Sequence, residues 1–111
     1  AAAAARGAEI VAIQSDVEGA LVAAFGQART SVAGVILNPA AFTHTSVALH
    51  DAIKACGLPV IEVHLSNVYA REGYRHESLT AGVCVGQIRG FGAFGYLMAL
   101  EVLLERLKGA E

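Results

Sequence analysis

The chain has 111 residues, enough for one domain with a real core and too few for two. With 55% hydrophobic and 16% charged residues, and no long polar or Pro/Ser-rich tract, a disordered chain is excluded. A net charge of -2, with one short basic cluster at residues 71–76, argues against nucleic acid as a partner. No apolar run approaches the roughly 18 residues of a membrane span and no signal peptide is recognisable, so a cytoplasmic protein without membrane contact is expected. Cys56 and Cys84 each sit inside an apolar run rather than in a close pair with metal spacing, and read as buried, reduced thiols. So large an apolar share is hard for a small domain to hide, and part of it is expected to be buried between subunits.

Residues 1–5, followed by Arg6-Gly7, read as the last turns of a helix closed by glycine, or as a tail. Residues 9–15 form a short β-rich run, an expected strand, and Ser15-Asp16-Val17-Glu18 has the spacing of a capping box, so a helix should start there. Val17, Leu21, Ala24, Phe25 and Ala28 recur at helical spacing and predict its buried face. Residues 32–37 are a continuous apolar run ending at Asn38-Pro39, as expected of a strand covered on both faces.

The cluster Thr43-His44-Thr45-Ser46 supplies N-cap hydroxyls for a helix to Cys56, with Leu49, Ala52, Ile53 and Cys56 on its buried face. Its other face carries Val47, His50, Asp51 and Lys54. Gly57-Leu58-Pro59 ends it, and residues 60–64 are the next buried strand. Residues 81–88 predict another strand. Residues 94–108 predict a helix with a stripe of Leu97, Leu100, Leu103, Leu104 and Leu107, stopped by Gly109. Strands separated by helices run parallel with right-handed crossovers, which predicts an α/β fold: an open sheet with helices on both faces. Ligands of such sheets bind outside the carboxyl ends of the strands, where Asn38 and His64 both fall.

Gly90-Phe91-Gly92-Ala93-Phe94-Gly95 fits the G-x-G-x-x-G pattern of dinucleotide sites. The fingerprint also needs a following strand that ends in an acidic residue, and here a helix and Glu111 follow instead. Glycines serving a tight turn and close helix packing are the better reading.

The two strand exits hold a more specific constellation. Glu62 and His64 are two apart on a strand, so both side chains share a face, and the carboxylate can hold the imidazole in one tautomer and favour its protonated form. Such a histidine is a general acid. The backbone N–H groups of Leu65 and Ser66, with the Ser66 hydroxyl, lie just past the strand where an anion could be cradled. Asn38 offers a donor and an acceptor, His44 a second polar contact and Arg75 a rigid cationic fork. Each has a plain structural explanation taken singly. Together the residues imply a site for a polar, anionic small molecule with a histidine acid or base.

The stretch Asn38-Pro39-Ala40-Ala41-Phe42-Thr43-His44-Thr45-Ser46-Val47-Ala48-Leu49, with Asp51, and then Pro59-Val60-Ile61-Glu62-Val63-His64-Leu65-Ser66-Asn67-Val68-Tyr69-Ala70-Arg71-Glu72, closely resembles the type II 3-dehydroquinate dehydratases. The likeness extends from Gln14-Ser15-Asp16 and Glu18 through Arg75-His76-Glu77-Ser78 and Gly86-Gln87-Ile88 to Gly95-Tyr96, nearly all of the chain. The resemblance implies a single flavodoxin-like α/β domain over residues 1–111 and a dodecamer built from trimers. It also implies a lyase of the shikimate or quinate pathway that eliminates water anti from 3-dehydroquinate through an enolate, without a cofactor or metal. Carried over residue by residue, His64 would protonate the departing hydroxyl and Glu62 would orient it. Leu65 and Ser66 would bind the substrate carboxylate, Asn38, His44 and Arg75 the ring hydroxyls, and Asp51 would reach a neighbouring subunit's site.

Ala40 replaces the family's usual glycine after Asn-Pro, and Val17 stands where histidine is common. The family's first strand, its Gly-Pro-Asn-Leu-Asn loop and the lid bearing a tyrosine base and its arginine are not matched, and Tyr69, Tyr74 and Tyr96 are outside that tyrosine's motif. These residues are therefore expected to be the C-terminal portion of a longer chain. The alternative to an enzyme is a relative that only docks a quinate-like acid or builds an assembly, because enolate formation needs a base as well as an acid.

Overall fold

Among the described residues the first regular element is α1, Glu18–Ser31, and it begins later than the capping-box spacing predicts. Ser15 Oγ accepts a hydrogen bond from the Val17 N–H at 3.1 Å, a local turn that competes with the cap. Val17 becomes the N-cap without a side-chain bond, and it is exposed rather than part of the buried face. Phe25 is buried and Leu21 packs beside it, as the periodicity requires. The computed structural model describes residues 7–67 and 77–109, so the expected helix end at 1–5 and the basic cluster at 71–76, with Arg75, lie outside the described residues.

The β-rich run at residues 9–15 does not form a strand. Ile10, Val11 and Ile13 are 60%, 72% and 59% exposed. β-propensity expresses the fit of a side chain to a pleated, half-buried surface, and none of the described strands pairs with this run.

Beyond α1 come β1 (Val35–Leu37), a 3-10 turn (Ala40–His44), α2 (Val47–Cys56) and β2 (Val60–His64). A second 3-10 turn (Ala81–Val83), β3 (Gly86–Arg89) and α3 (Phe94–Gly109) complete the order. Helix α2 is delimited as its sequence predicts. The Ser46 hydroxyl accepts from the Leu49 N–H at 2.9 Å, and Gly57 takes the left-handed conformation at φ 70 that an L side chain resists.

The strand expected at 81–88 is shorter, because Ser78 Oγ accepts from the N–H groups of Thr80 and Ala81 and turns the chain first. Pairing starts only where the Val85 N–H donates to the Val60 carbonyl at 2.8 Å.

The three strands form one parallel sheet in the order β1-β2-β3. Alternation along the strands sends side chains to two separate cores. Phe25, Leu37, Leu49, Ile53, Cys56 and Val60 join β1 and β2 to α1 and α2 on one face. Ile61, Val63, Ala99 and Leu103, with Ile36 and Ile88, join the sheet to α3 on the other. A fully buried aliphatic side chain contributes roughly 1.5–3 kcal/mol, so these clusters hold the three layers together. The expectation of an open parallel sheet covered by helices on both faces is met. No helix among the described residues is long and apolar enough to cross a membrane.

Candidate active site

Strand β2 is the central strand, and all five of its residues are buried. Its alternation aims Ile61 and Val63 into the α3 core, leaving Glu62 and His64 on the opposite face together with Val60. Glu62 is 0% exposed, and a carboxylate removed from water must be met by donors.

His64 Nε2 lies 2.9 Å from Glu62 Oε2, and Gln87 Nε2 donates to the same oxygen at 2.8 Å. Thr80 donates its hydroxyl to Oε1. Thr43 Oγ1 lies within 3.4 Å of both carboxylate oxygens and bonds Thr80 Oγ1 at 2.8 Å, while Ser78 Oγ reaches Oε2 at 3.5 Å. The Arg89 guanidinium is 3.7 Å from Oε2.

Burial on its own raises the Glu62 pKa, but the hydrogen bonds from His64 and Thr80 and the charges of His64 and Arg89 outweigh it. Together they hold the carboxyl below its ordinary value. A carboxylate only accepts, so Nε2 of His64 carries its hydrogen toward Glu62, and any second proton of the ring resides on Nδ1. The predicted pairing of Glu62 with His64 is therefore present, with the imidazole 4% exposed at the end of the strand.

Of the other expected site residues, Asn38, His44, Leu65 and Ser66 lie in the segments that follow β1 and β2. Asn38 follows β1, whose last residue, Leu37, pairs with Glu62. Its Oδ1 accepts from the Ala40 N–H at 3.1 Å, and its Nδ2 donates to the Tyr96 hydroxyl at 2.9 Å. The 3-10 turn after Asn38 includes Ala40 at φ 49, a conformation that favours the glycine the resembled family has there.

His44 Nδ1 is 2.6 Å from the Glu77 carbonyl oxygen, which ties the first loop to the segment bearing Ser78 and Thr80. Leu65 and Ser66 are exposed just past β2, and Asp51 is exposed on the outer face of α2. Arg75 is outside the described residues.

The glycine-rich loop serves this rim. Gly90 and Gly92 adopt φ 91 and φ 59, and their N–H groups donate to the carbonyls of His64 and Leu65. A Cβ on Gly95 would lie 3.0 Å from Val63 Cγ1, so its absence lets α3 approach the sheet closely. Turn geometry and helix packing account for the pattern that resembles a dinucleotide fingerprint.

Thr43, Ser78, Thr80, Gln87, Arg89 and Tyr96 are polar partners that reading the sequence for site chemistry does not select. One signal was available: Gln87 and Arg89 repeat on β3 the two-residue spacing of Glu62 and His64, and the register sets the pairs side by side. Among the described residues no group of three or more His, Cys, Asp or Glu could hold a metal ion.

Residues 1–104 match the family described as dehydroquinase class II. The chain belongs to the class II dehydroquinase family. It is 53% identical over 104 residues to a 3-dehydroquinate dehydratase of Bacillus cereus (strain G9842), an alignment covering 94% of this chain and 71% of that protein.

The crystal structure of type II dehydroquinase from Butyrivibrio crossotus DSM 2876 superposes with a TM-score of 0.88 at 41% identity, over 90% of this chain and 70% of the other. That of type II dehydroquinase from Propionibacterium acnes gives 0.88 at 36% identity, over 92% and 75%. The three-layer sheet is thus the flavodoxin-like fold of the class II dehydroquinases, and the rim of β1 and β2 is where this dehydroquinase family member concentrates its buried polar groups.

Proposed function

We infer that the protein is a 3-dehydroquinate dehydratase, a hydro-lyase that converts 3-dehydroquinate to 3-dehydroshikimate, and that His64 is its acid. The observation that supports this role is the carboxylate-held imidazole at the carboxyl end of the central strand. In the elimination a base takes a proton from the carbon beside the ketone, and the C–H electron pair becomes an enolate. When the enolate collapses, the ring double bond forms and the C–O bond to the hydroxyl breaks. A proton from His64 Nδ1 turns the departing hydroxide into water. Glu62 holds the ring orientation and stays ionised throughout, stabilising the charged imidazole before transfer.

Leu65 and Ser66 hold the substrate carboxylate in this reading, and Asn38, His44 and Arg75 hold its hydroxyls. Asn38 is oriented for that by the Tyr96 hydroxyl. The chain works as a homo-oligomer, a dodecamer built from trimers in which Asp51 reaches the site of a neighbour. The 62% exposure of Val47 beside it on α2 supports this placement. Cytoplasmic residence agrees with two free thiols.

Formation of the conjugated product by the full-length protein, followed by ultraviolet absorbance, tests the assignment. His64→Ala is expected to lower kcat by about 10²–10⁴. Undiminished turnover by that variant removes His64 from the chemistry, and no turnover by the unaltered protein favours a binding or assembly role instead.

A further inference from the structure

Arg89 stands apart from the residues so far given a role. It occupies the carboxyl end of β3 and pairs in register with His64, as Gln87 pairs with Glu62. Parallel register and two-residue alternation therefore place Gln87 and Arg89 on the face of the sheet that carries the acid. Its side chain is 11% exposed, and its guanidinium sits 3.7 Å from Glu62 Oε2. Its Nε donates to Gln87 Oε1 at 2.8 Å, and Gln87 Nε2 in turn donates to Glu62 Oε2 at 2.8 Å. The amide is thus polarised in one sense: it accepts from the arginine and donates to the carboxylate, which fixes its orientation.

We propose that Arg89 is a positioning residue for the acid: directly and through Gln87, it keeps Glu62 ionised and oriented against the imidazole of His64. The proposal rests on the reading of Glu62 and His64 as the acid pair. Among the described residues the titratable and charged groups set against Glu62 are His64 on its own strand, Arg89 on β3 and Cys84 just before β3. The Thr43 turn and the Ser78–Thr80 segment meet it with hydroxyls, and His44 of the same turn is engaged with the Glu77 carbonyl. A thiol brings no positive charge, so besides the imidazole itself Arg89 is the cation that opposes protonation of Glu62 among these groups. As the solution is acidified, Glu62 accepts a proton, the imidazole loses its charged partner, and turnover falls. Arg89 pushes that point to lower pH.

The test uses the full-length protein and its R89M, R89Q and R89K variants, with glutamate carboxyl carbons labelled with 13C and the Glu62 resonance assigned by its loss in E62Q. Removing the charge in R89M or R89Q is expected to raise the Glu62 titration midpoint, and with it the acid limb of kcat, by about one pH unit. R89K should restore most of the shift. A folded R89M or R89Q protein whose Glu62 midpoint does not move overturns the proposal. Failure of both neutral variants to fold, with R89K folded, assigns Arg89 to the framework and overturns it as well. A moved midpoint with an unmoved acid limb upholds the hold on Glu62 and overturns instead the reading of that carboxylate as part of the acid pair.

Discussion

Replacing Glu62 by glutamine perturbs the site at its centre while keeping its shape. The amide oxygen can still accept from Thr80 and Thr43, whose hydroxyls also rotate. The new NH₂ group would face His64 Nε2 and Gln87 Nε2, both donors to the carboxylate, and the charge 3.7 Å from Arg89 is gone. Two hydrogen bonds to a charged acceptor are worth about 1.5–3 kcal/mol each, and removing one partner of a buried ion pair costs about 3–5 kcal/mol. The first route gives about 3–6 kcal/mol and the second about 3–5, so a loss of about 3–5 kcal/mol is expected at pH 7, a large part of the roughly 5–15 kcal/mol of a typical domain.

The pH dependence has a definite direction. The folded-state pKa of Glu62 is lowered from its ordinary 4.5. Its stabilisation is therefore complete above that value and is lost as the pH falls through the folded-state pKa. At one pH unit below 4.5, the advantage of the unaltered protein over E62Q should have shrunk by up to about 1.4 kcal/mol. Urea unfolding of both proteins at pH 7 and near pH 3.5 measures both quantities. A difference under about 1 kcal/mol at pH 7, or one that grows on acidification, would refute the account of Glu62 as a buried, ionised and fully met carboxylate.

Ser46→Ala removes the buried N-cap of α2 and should cost about 0.5–2 kcal/mol, read as a fall in Tm of roughly 4–8 °C per kcal/mol. Tyr96→Phe deletes the hydroxyl that accepts from Asn38 Nδ2. Steady-state kinetics should show a raised KM with little change in stability, and an unchanged KM would detach Tyr96 from substrate holding. Burial, with the nearby negative charge of Glu62, pushes the Cys84 thiol up to about 12. Iodoacetamide at pH 8 should therefore leave Cys84 unmodified in the native protein and modify it in urea, as followed by mass spectrometry.

Much of the fold was readable in the residues because its determinants act over short spans. Ser46 and Gly57 bracket α2 in the way their chemistry requires. Of the leucine stripe of α3, Leu100 and Leu103 are buried and Leu97, Leu104 and Leu107 half-buried, while Glu101 and Glu105 are exposed. Where two local options competed, the sequence was ambiguous. The Ser15 hydroxyl chose a tight turn over a helix cap, and Ser78 turned the chain ahead of β3. At residues 9–15 the propensity was present, but a strand depends on a partner that local pattern does not supply.

From sequence alone came the parallel order of strands and helices, the pairing of Glu62 with His64, and the location of His64 at a strand end. Periodicity, caps and a two-residue spacing depend only on neighbours a few positions away. Tertiary structure decided which distant groups meet that carboxylate: Gln87 lies 25 positions from Glu62, Thr43 19 and Thr80 18. Those contacts are set by strand register and by the exclusion of water around a buried charge, and neither is encoded in the local pattern.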